Sequence, residues 1–248
     1  MSRRKLKKFA ENLDNNHIVQ PGKPLYENIK GRWNADQFGN NNPIVLELAC
    51  GRGEYTVGLA REFPDRNFIG VDIKGNRIWT GAKTAEADGL KNAAFLRIRI
   101  QNLLQFFEPG EVSEIWITFP DPRPRGRDEK RRLTYPRFLK IYRELLPSEG
   151  RVHLKTDNTF LFNYTLETLA LCPVSNLEFT HNLYTSEWAQ EHHGIKTRYE
   201  EMFTAKGEDI KYLRFKFTEG EFPEPKPGDD DDNEGEDEES EADESTSE

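Results

Sequence analysis

The chain has 248 residues, with 35 Lys and Arg against 44 Asp and Glu, 35 % apolar and 32 % charged residues. That length suits one large domain with an appended segment. Its two cysteines, Cys50 and Cys172, exclude a disulfide framework and fit a reducing cytoplasm, and no run approaches the ~18 apolar residues of a membrane span. The charge is unevenly placed. Residues 219–248 hold 16 acids and one Lys, a net of −15, while residues 1–218 carry 34 basic and 28 acidic residues, a net of +6. A mildly basic body is therefore joined to a strongly acidic tail.

Residues 1–8 carry five basic residues and no acid. With no apolar stretch behind the charge, they do not read as a secretory signal. They read either as an arm for an anionic partner or as a solvated terminus. Residues 21–42 are punctuated by Pro, Gly and Asn around Trp33 and Phe38, and predict a lead-in with little regular structure.

After Pro43 the pattern becomes regular. Residues 44–49 (IVLELA) predict a buried strand before a Gly turn, followed by a helix over 54–62. A strand over 67–73 and a helix over 75–87 follow. A strand over 94–100 precedes a short helix over 102–107. Residues 114–119, 134–146, 151–156 and 160–171 continue the alternation as strand, helix, strand and helix. Residues 177–183 and 210–217 predict late strands. Repeated strand–helix alternation implies a mostly parallel sheet covered by helices on both faces, with antiparallel pairing where no helix intervenes. The chain therefore divides into a basic arm and lead-in (1–42), an α/β domain (43–218) and an acidic tail (219–248). The tail's composition predicts disorder, because it has too little apolar surface to offset ordering entropy.

Five motifs carry chemistry. Glu47 precedes Gly51 and Gly53 at a strand end, where glycines let the backbone turn and approach a ligand. Asp72 ends the next strand, placed to accept ribose hydroxyls. A nicotinamide fingerprint would need a third glycine where Thr56 stands, and an acid before the loop suits a cofactor with a cationic end. Asp121 is held between Pro120 and Pro122 after the fourth strand. It reads as a preorganised carboxylate or as a rigid turn. Residues 123–143 hold nine Arg and Lys, Arg125, Arg131 and Arg132 among them, against two acids. That cluster suits phosphate binding. Asp157 follows the fifth strand, as a second carboxylate on the same edge or as a helix cap. Thr197, Arg198, Tyr199 and Glu200 precede the last strand, with Tyr199 offering a stacking face. His192 and His193 have no partners at metal spacing, so no metal site is expected. Cys50 is expected to pack rather than react.

The combination closely resembles the tRNA (guanine-N7-)-methyltransferase family over residues 44–217. Its most specific parts are FPDPRPRGRDEKRRLTYPRF followed by HLKTDN, and TRYEEMFTAKGEDIKYLRF. The resemblance implies a class I methyltransferase (Rossmann-like) fold. It also implies S-adenosyl-L-methionine as cofactor and methyl transfer to N7 of a guanine in the tRNA variable loop, by a cytoplasmic enzyme. Tested position by position, Glu47, Gly51, Gly53 and Asp72 match cofactor-binding residues. Asp121 matches the catalytic and cofactor-adjacent aspartate. Arg125, Asp157 and Thr197 to Glu200 match substrate contacts. The acid that usually faces the adenine aligns to Arg99, with Gln101 nearby. Members usually carry Trp at Arg123 and Lys at Gly126. The readings left open are a methyltransferase acting on another RNA base or on protein, and a non-catalytic RNA-binding relative. No obligate protein partner and no membrane association are evident.

Overall fold

A computed structural model describes residues 3–224 of the chain. Met1, Ser2 and residues 225–248 lie outside the described residues, and most of the expected disordered tail falls there.

Eight strands form one sheet in the order β1-β4-β3-β2-β5-β6-β8-β7. The strands are β1 (Ile18–Val19), β2 (Ile44–Leu48), β3 (Asn67–Val71), β4 (Ala93–Leu96), β5 (Val112–Thr118), β6 (Arg151–Thr156), β7 (Val174–Thr180) and β8 (Lys211–Phe217). β1 to β6 pair parallel. β8 is inserted antiparallel between β6 and β7. The mostly parallel sheet with late antiparallel strands is therefore as expected. Strand order reverses between β2 and β5, and the crevice at such a switch point is where open α/β sheets hold ligands.

The helices are α1 (Arg3–Asp14), α2 (Glu54–Glu62), α3 (Gly75–Ala87), α4 (Pro136–Leu145), α5 (Thr159–Leu169) and α6 (Arg198–Ala205). Every residue of β2 and β3 is buried, as expected of strands covered on both faces. Alternate side chains feed two cores. On one face Leu46, Leu48, Ile69 and Ile117 pack with Phe138, Leu139 and Tyr142 of α4 and Phe162 of α5. On the other, Val45, Phe68, Phe95 and Trp116 pack with Tyr55, Leu59, Ile78 and Ala82 of α2 and α3.

Several elements differ from the sequence expectations. Residues 3–14 form a helix, which their basic composition did not predict. Asn12 Nδ2 donates to the Gly75 carbonyl at 2.8 Å, and Trp79 Nε1 donates to Glu11 at 2.7 Å, so α1 docks on α3. Within the lead-in, Trp33 is fully buried and stacks on Phe107 at 5.3 Å. A π-helical turn spans Trp33–Phe38. β4 ends at Leu96, and a 3₁₀ turn begins at Ile100, so residues 97–99 are loop rather than strand. At the other end of the described residues, Gly220 accepts from Arg143 at 2.7 Å and Phe222 packs on Phe217. The start of the acidic segment is thus folded back on the body.

One packing detail sets the separation of strand, loop and helix beside the switch point. The Phe95 ring lies where Gly53, Gly70 and Gly81 have no side chains. A Cβ at Gly81 would stand 2.5 Å from the ring and 2.7 Å from the backbone oxygen of Arg52. Alanine in a helix interior gains about 1 kcal/mol over glycine, but overpacking costs about 1–3 kcal/mol. The backbone oxygen has no room to give, so overpacking wins. Gly81→Ala is expected to lower the thermal midpoint by several degrees; an equal or higher midpoint would show that the slot is not tight.

Candidate active site

The site is built where β2, β3, β5 and β6 end. Ala49, Gly51 and Gly53 all adopt positive φ, at 56°, 57° and 71°. Gly53 must be glycine, because a Cβ there would stand 2.3 Å from Phe95. A Cβ at Gly51 would meet nothing within 4 Å, so that backbone borders open space. Its N–H donates to Asp72 Oδ2 at 2.9 Å, and Asp72 Oδ1 accepts from Lys74 N at 2.8 Å. Burial raises the Asp72 carboxyl, against those two amide bonds. The loop and the carboxylate hold each other in place.

Glu47 lies inside the sheet, 3 % exposed. Its Oε1 accepts from Thr118 Oγ1 on β5 at 2.6 Å. Its Oε2 accepts from Thr56 N at 2.8 Å and from the Thr56 hydroxyl. Thr56, the residue that breaks the nicotinamide fingerprint, is thus the one that fastens Glu47 to α2. Desolvation raises the Glu47 carboxyl to about 7, with the threonine bonds opposing the rise. Cys50 is buried and its thiol is pushed up by burial and by Glu47 and Asp72, so it packs rather than attacks.

Beyond β5 the chain turns sharply. Phe119 adopts φ 50° and Arg123 φ 43°, conformations uncommon for residues with a Cβ. Phe119 N donates to the Lys155 carbonyl at 2.8 Å. Between these points stands Asp121, its side chain 68 % exposed, with Arg123 Nε 3.6 Å from Oδ2. The strained backbone and the exposed carboxylate coincide at the switch point, a pattern typical of functional loops.

Asp157 directly follows β6 on the same edge, half buried, and burial raises its carboxyl. It does not cap α5: that is done by Asn158, whose Oδ1 accepts from Leu161 N at 2.9 Å. The Thr197–Glu200 segment is the first turn of α6 rather than an open strip. Thr197 is buried and caps that helix, its Oγ1 accepting from Glu200 N at 3.1 Å. Glu200 is fully buried and lies 3.0 Å from Lys155 Nζ, with Tyr184 Oη donating to it at 2.5 Å. The expectation that Glu200 presents an acceptor to a base is therefore corrected. Its carboxylate is consumed in balancing the fully buried Lys155, whose ammonium is pulled down by desolvation and supported by Glu200. Arg198 and Tyr199 remain exposed. The pattern Thr-x-x-Glu is itself a helix-start signal, and it could have revealed α6.

The basic stretch divides. Arg125 and Arg127 are exposed. Arg131 is half buried, 3.8 Å from Asp128. Arg132 is 4 % exposed, so the expectation that it touches a substrate backbone is corrected: its guanidinium is taken up inside the protein. Arg99 is half buried at the head of the 3₁₀ turn after β4, and Gln101 is exposed. Among the described residues no cluster of His, Cys, Asp and Glu could hold a metal ion, and no helix is long and apolar enough to cross a membrane.

A family model described as "Putative methyltransferase" matches residues 41–213. The tRNA (guanine-N(7)-)-methyltransferase of Cytophaga hutchinsonii is 49 % identical over 219 residues, covering 88 % of this chain and 99 % of that protein. The proteins of the same name from Christiangramia forsetii and Porphyromonas gingivalis are 47 % and 50 % identical, over 87 % and 77 % of this chain and 98 % and 78 % of theirs. Among solved structures, the 16S rRNA methyltransferase KamB superposes with a TM-score of 0.54 at 16 % identity, covering 72 % of this chain and 89 % of that one. That likeness concerns the fold alone. On the match from residue 41 to 213 and relatives aligned over nearly their full length, the chain belongs to the tRNA (guanine-N(7)-)-methyltransferase family.

Proposed function

We propose that this protein transfers the methyl group of S-adenosylmethionine to N7 of a guanine in the variable loop of tRNA. The observation that carries the reading is Asp121: an exposed carboxylate on a strained loop, beside the Gly51–Asp72 cradle, at the point where strand order reverses.

The residues present fit the cofactor. Asp72 is an acceptor fixed by two backbone amides, suited to ribose hydroxyls. Gly51 leaves its surroundings clear of side chain. Glu47, near the end of β2, would supply negative charge behind the loop for the cofactor's cationic end. S-adenosylmethionine, when bound, supplies the electrophilic methyl group. Guanine N7 has a lone pair and no proton to lose, so no strong base is needed. The protein's contribution is alignment and stabilisation of the positive charge that develops on the purine. Asp121 supplies the negative charge for that purpose. Arg125 and Arg127 contact the RNA backbone and set register, while Tyr199, Arg198 and Asp157 contact the exposed base and its neighbours. Arg99 and Gln101, in the segment after β4, would border the adenine of the bound cofactor. A cytoplasmic location fits a tRNA substrate.

The direct test is methyl transfer from methyl-labelled S-adenosylmethionine to unmodified tRNA, followed by digestion to nucleosides. Label in N7-methylguanosine from the variable loop is expected, and label in any other nucleoside overturns the assignment. Asp121→Ala is expected to lower kcat by about 10²–10³-fold with little change in tRNA affinity; equal loss of both would remove it from the chemistry.

Charge and pH give two further tests. Removing Arg125 and Arg127 together is expected to weaken tRNA binding and reduce the slope of log K against log salt by about 1–2. An unchanged slope would put both off the RNA path. The Glu47 carboxyl is raised from 4.5 to about 7 in the folded protein. Between those values the folded state holds a proton the unfolded state has lost, so ligand-free stability falls as pH rises through that window. Cofactor affinity is expected to move the other way, rising from pH 6 to 8 as the carboxylate forms. Glu47→Gln should flatten both trends, read by thermal melting and calorimetry.

A further inference from the structure

Within the basic stretch Arg132 is built unlike its neighbours. Its guanidinium lies over the Tyr164 ring at 4.2 Å and the Phe160 ring at 4.8 Å, both on α5. Both lie within the reach of a cation–π contact. Its Nε donates to the carbonyl of Arg123 at 3.1 Å. Arg123 is the residue held at φ 43°, and it faces Asp121 twice. Its N–H points to Asp121 Oδ1 at 3.4 Å, and its Nε is 3.6 Å from Oδ2. A chain of contacts thus runs from the α5 rings through Arg132 and Arg123 to the Asp121 carboxylate.

We propose that Arg132 is a positioning residue for Asp121. The need for one is visible in the loop. The Asp121 side chain is 68 % exposed, so packing does not hold it. Pro120 and Pro122 restrict local φ but do not fix the loop against the sheet. Arg123 keeps its left-handed backbone only while something over-determines it, and the Arg132 bond to its carbonyl does so. Anchoring Arg123 then limits where Asp121 can turn. The task calls for arginine. A planar guanidinium stacks on two rings and still donates in its own plane, whereas an ammonium has neither the flat face nor an Nε–H. At 4 % exposure, Arg132 is closed to a phosphate, so its role is separate from the RNA grip assigned to Arg125 and Arg127.

The proposal rests on the reading of Asp121 given above, and the test separates the two. Arg132→Lys keeps the charge. It is expected to lower kcat for methyl transfer to tRNA by about 10²-fold, the loss a small misplacement produces. The KM for tRNA, the salt slope of tRNA binding and the affinity for S-adenosylmethionine should stay within about twofold of the parent. Parental turnover overturns the proposal. So does a loss confined to the KM for tRNA with a salt slope lowered by about one, because that is the signature of a phosphate contact. Asp121→Asn is measured alongside. If it turns over normally, the reading of Asp121 itself fails; if it is inactive while Arg132→Lys is not, only the positioning role fails. Should Arg132→Lys fail to fold, Phe160→Leu removes one ring of the clamp from an exposed position. It is expected to lower kcat with unchanged cofactor affinity, and an unchanged kcat overturns the proposal.

Discussion

The buried carboxylate of Glu47 is the constraint around which the site is arranged. A carboxyl group withdrawn from water in the middle of a sheet is unfavourable unless its oxygens are satisfied. Here the donors come from two elements, Thr118 on β5 and Thr56 on α2. Satisfying Glu47 therefore ties the central strand to its neighbour across the switch point and to the first turn of the helix that follows it. The Gly51–Gly53 loop spans the gap between those fixed ends. On the other side of β2 the Phe95 ring fills the space left by three glycines, which brings α3 and the loop into contact. The cradle is thus shaped by a polar clamp on one side and by tight packing on the other.

The parts of the fold that were legible in the sequence are those with a local signature. Strands β2 and β3 read as short apolar runs because both of their faces are covered, and the punctuation between strands and helices marked the sheet edge that carries the candidate site. The parts that escaped depend on distant partners. Trp33 lies among Pro, Gly and Asn, and only its stack on Phe107 gives it a place in the core. α1 is mostly charged, and it is held by Asn12 and Glu11 reaching α3. β1 is two residues long and exists by pairing with β4. In the candidate site, residue types singled out Glu47, Asp72 and Asp121 as candidates, but they did not distinguish side chains that face outward from those turned in. Glu200 and Arg132 look available in the sequence. The first balances Lys155 and the second lies against two rings.

That division has a chemical logic. Residues 123–143 are dense in cations, and a loop of like charges repels itself. Drawing Arg132 beneath the surface, over aromatic faces, removes one cation from the exposed field and uses it as a structural pin. Arg125 and Arg127 stay outside, free to attract a polyanion at long range. One stretch of sequence therefore supplies both an electrostatic surface and the internal support of the loop beside it.

The position of β8 also dictates an order of assembly during synthesis. Because β8 lies between β6 and β7, β7 has no sheet partner until Lys211–Phe217 has been made. With translation at about 5–20 residues per second, the roughly thirty residues between those strands occupy about 2–6 s. For that interval the strand bearing Phe179, still 44 % exposed in the finished fold, offers both of its edges to any other nascent strand. The irregularity between Ser175 and Glu178, with Asn176 at φ 50°, breaks the flatness that such mispairing requires. The shifted register thus makes β7 a poorer template for stray pairing than a flat strand of the same length.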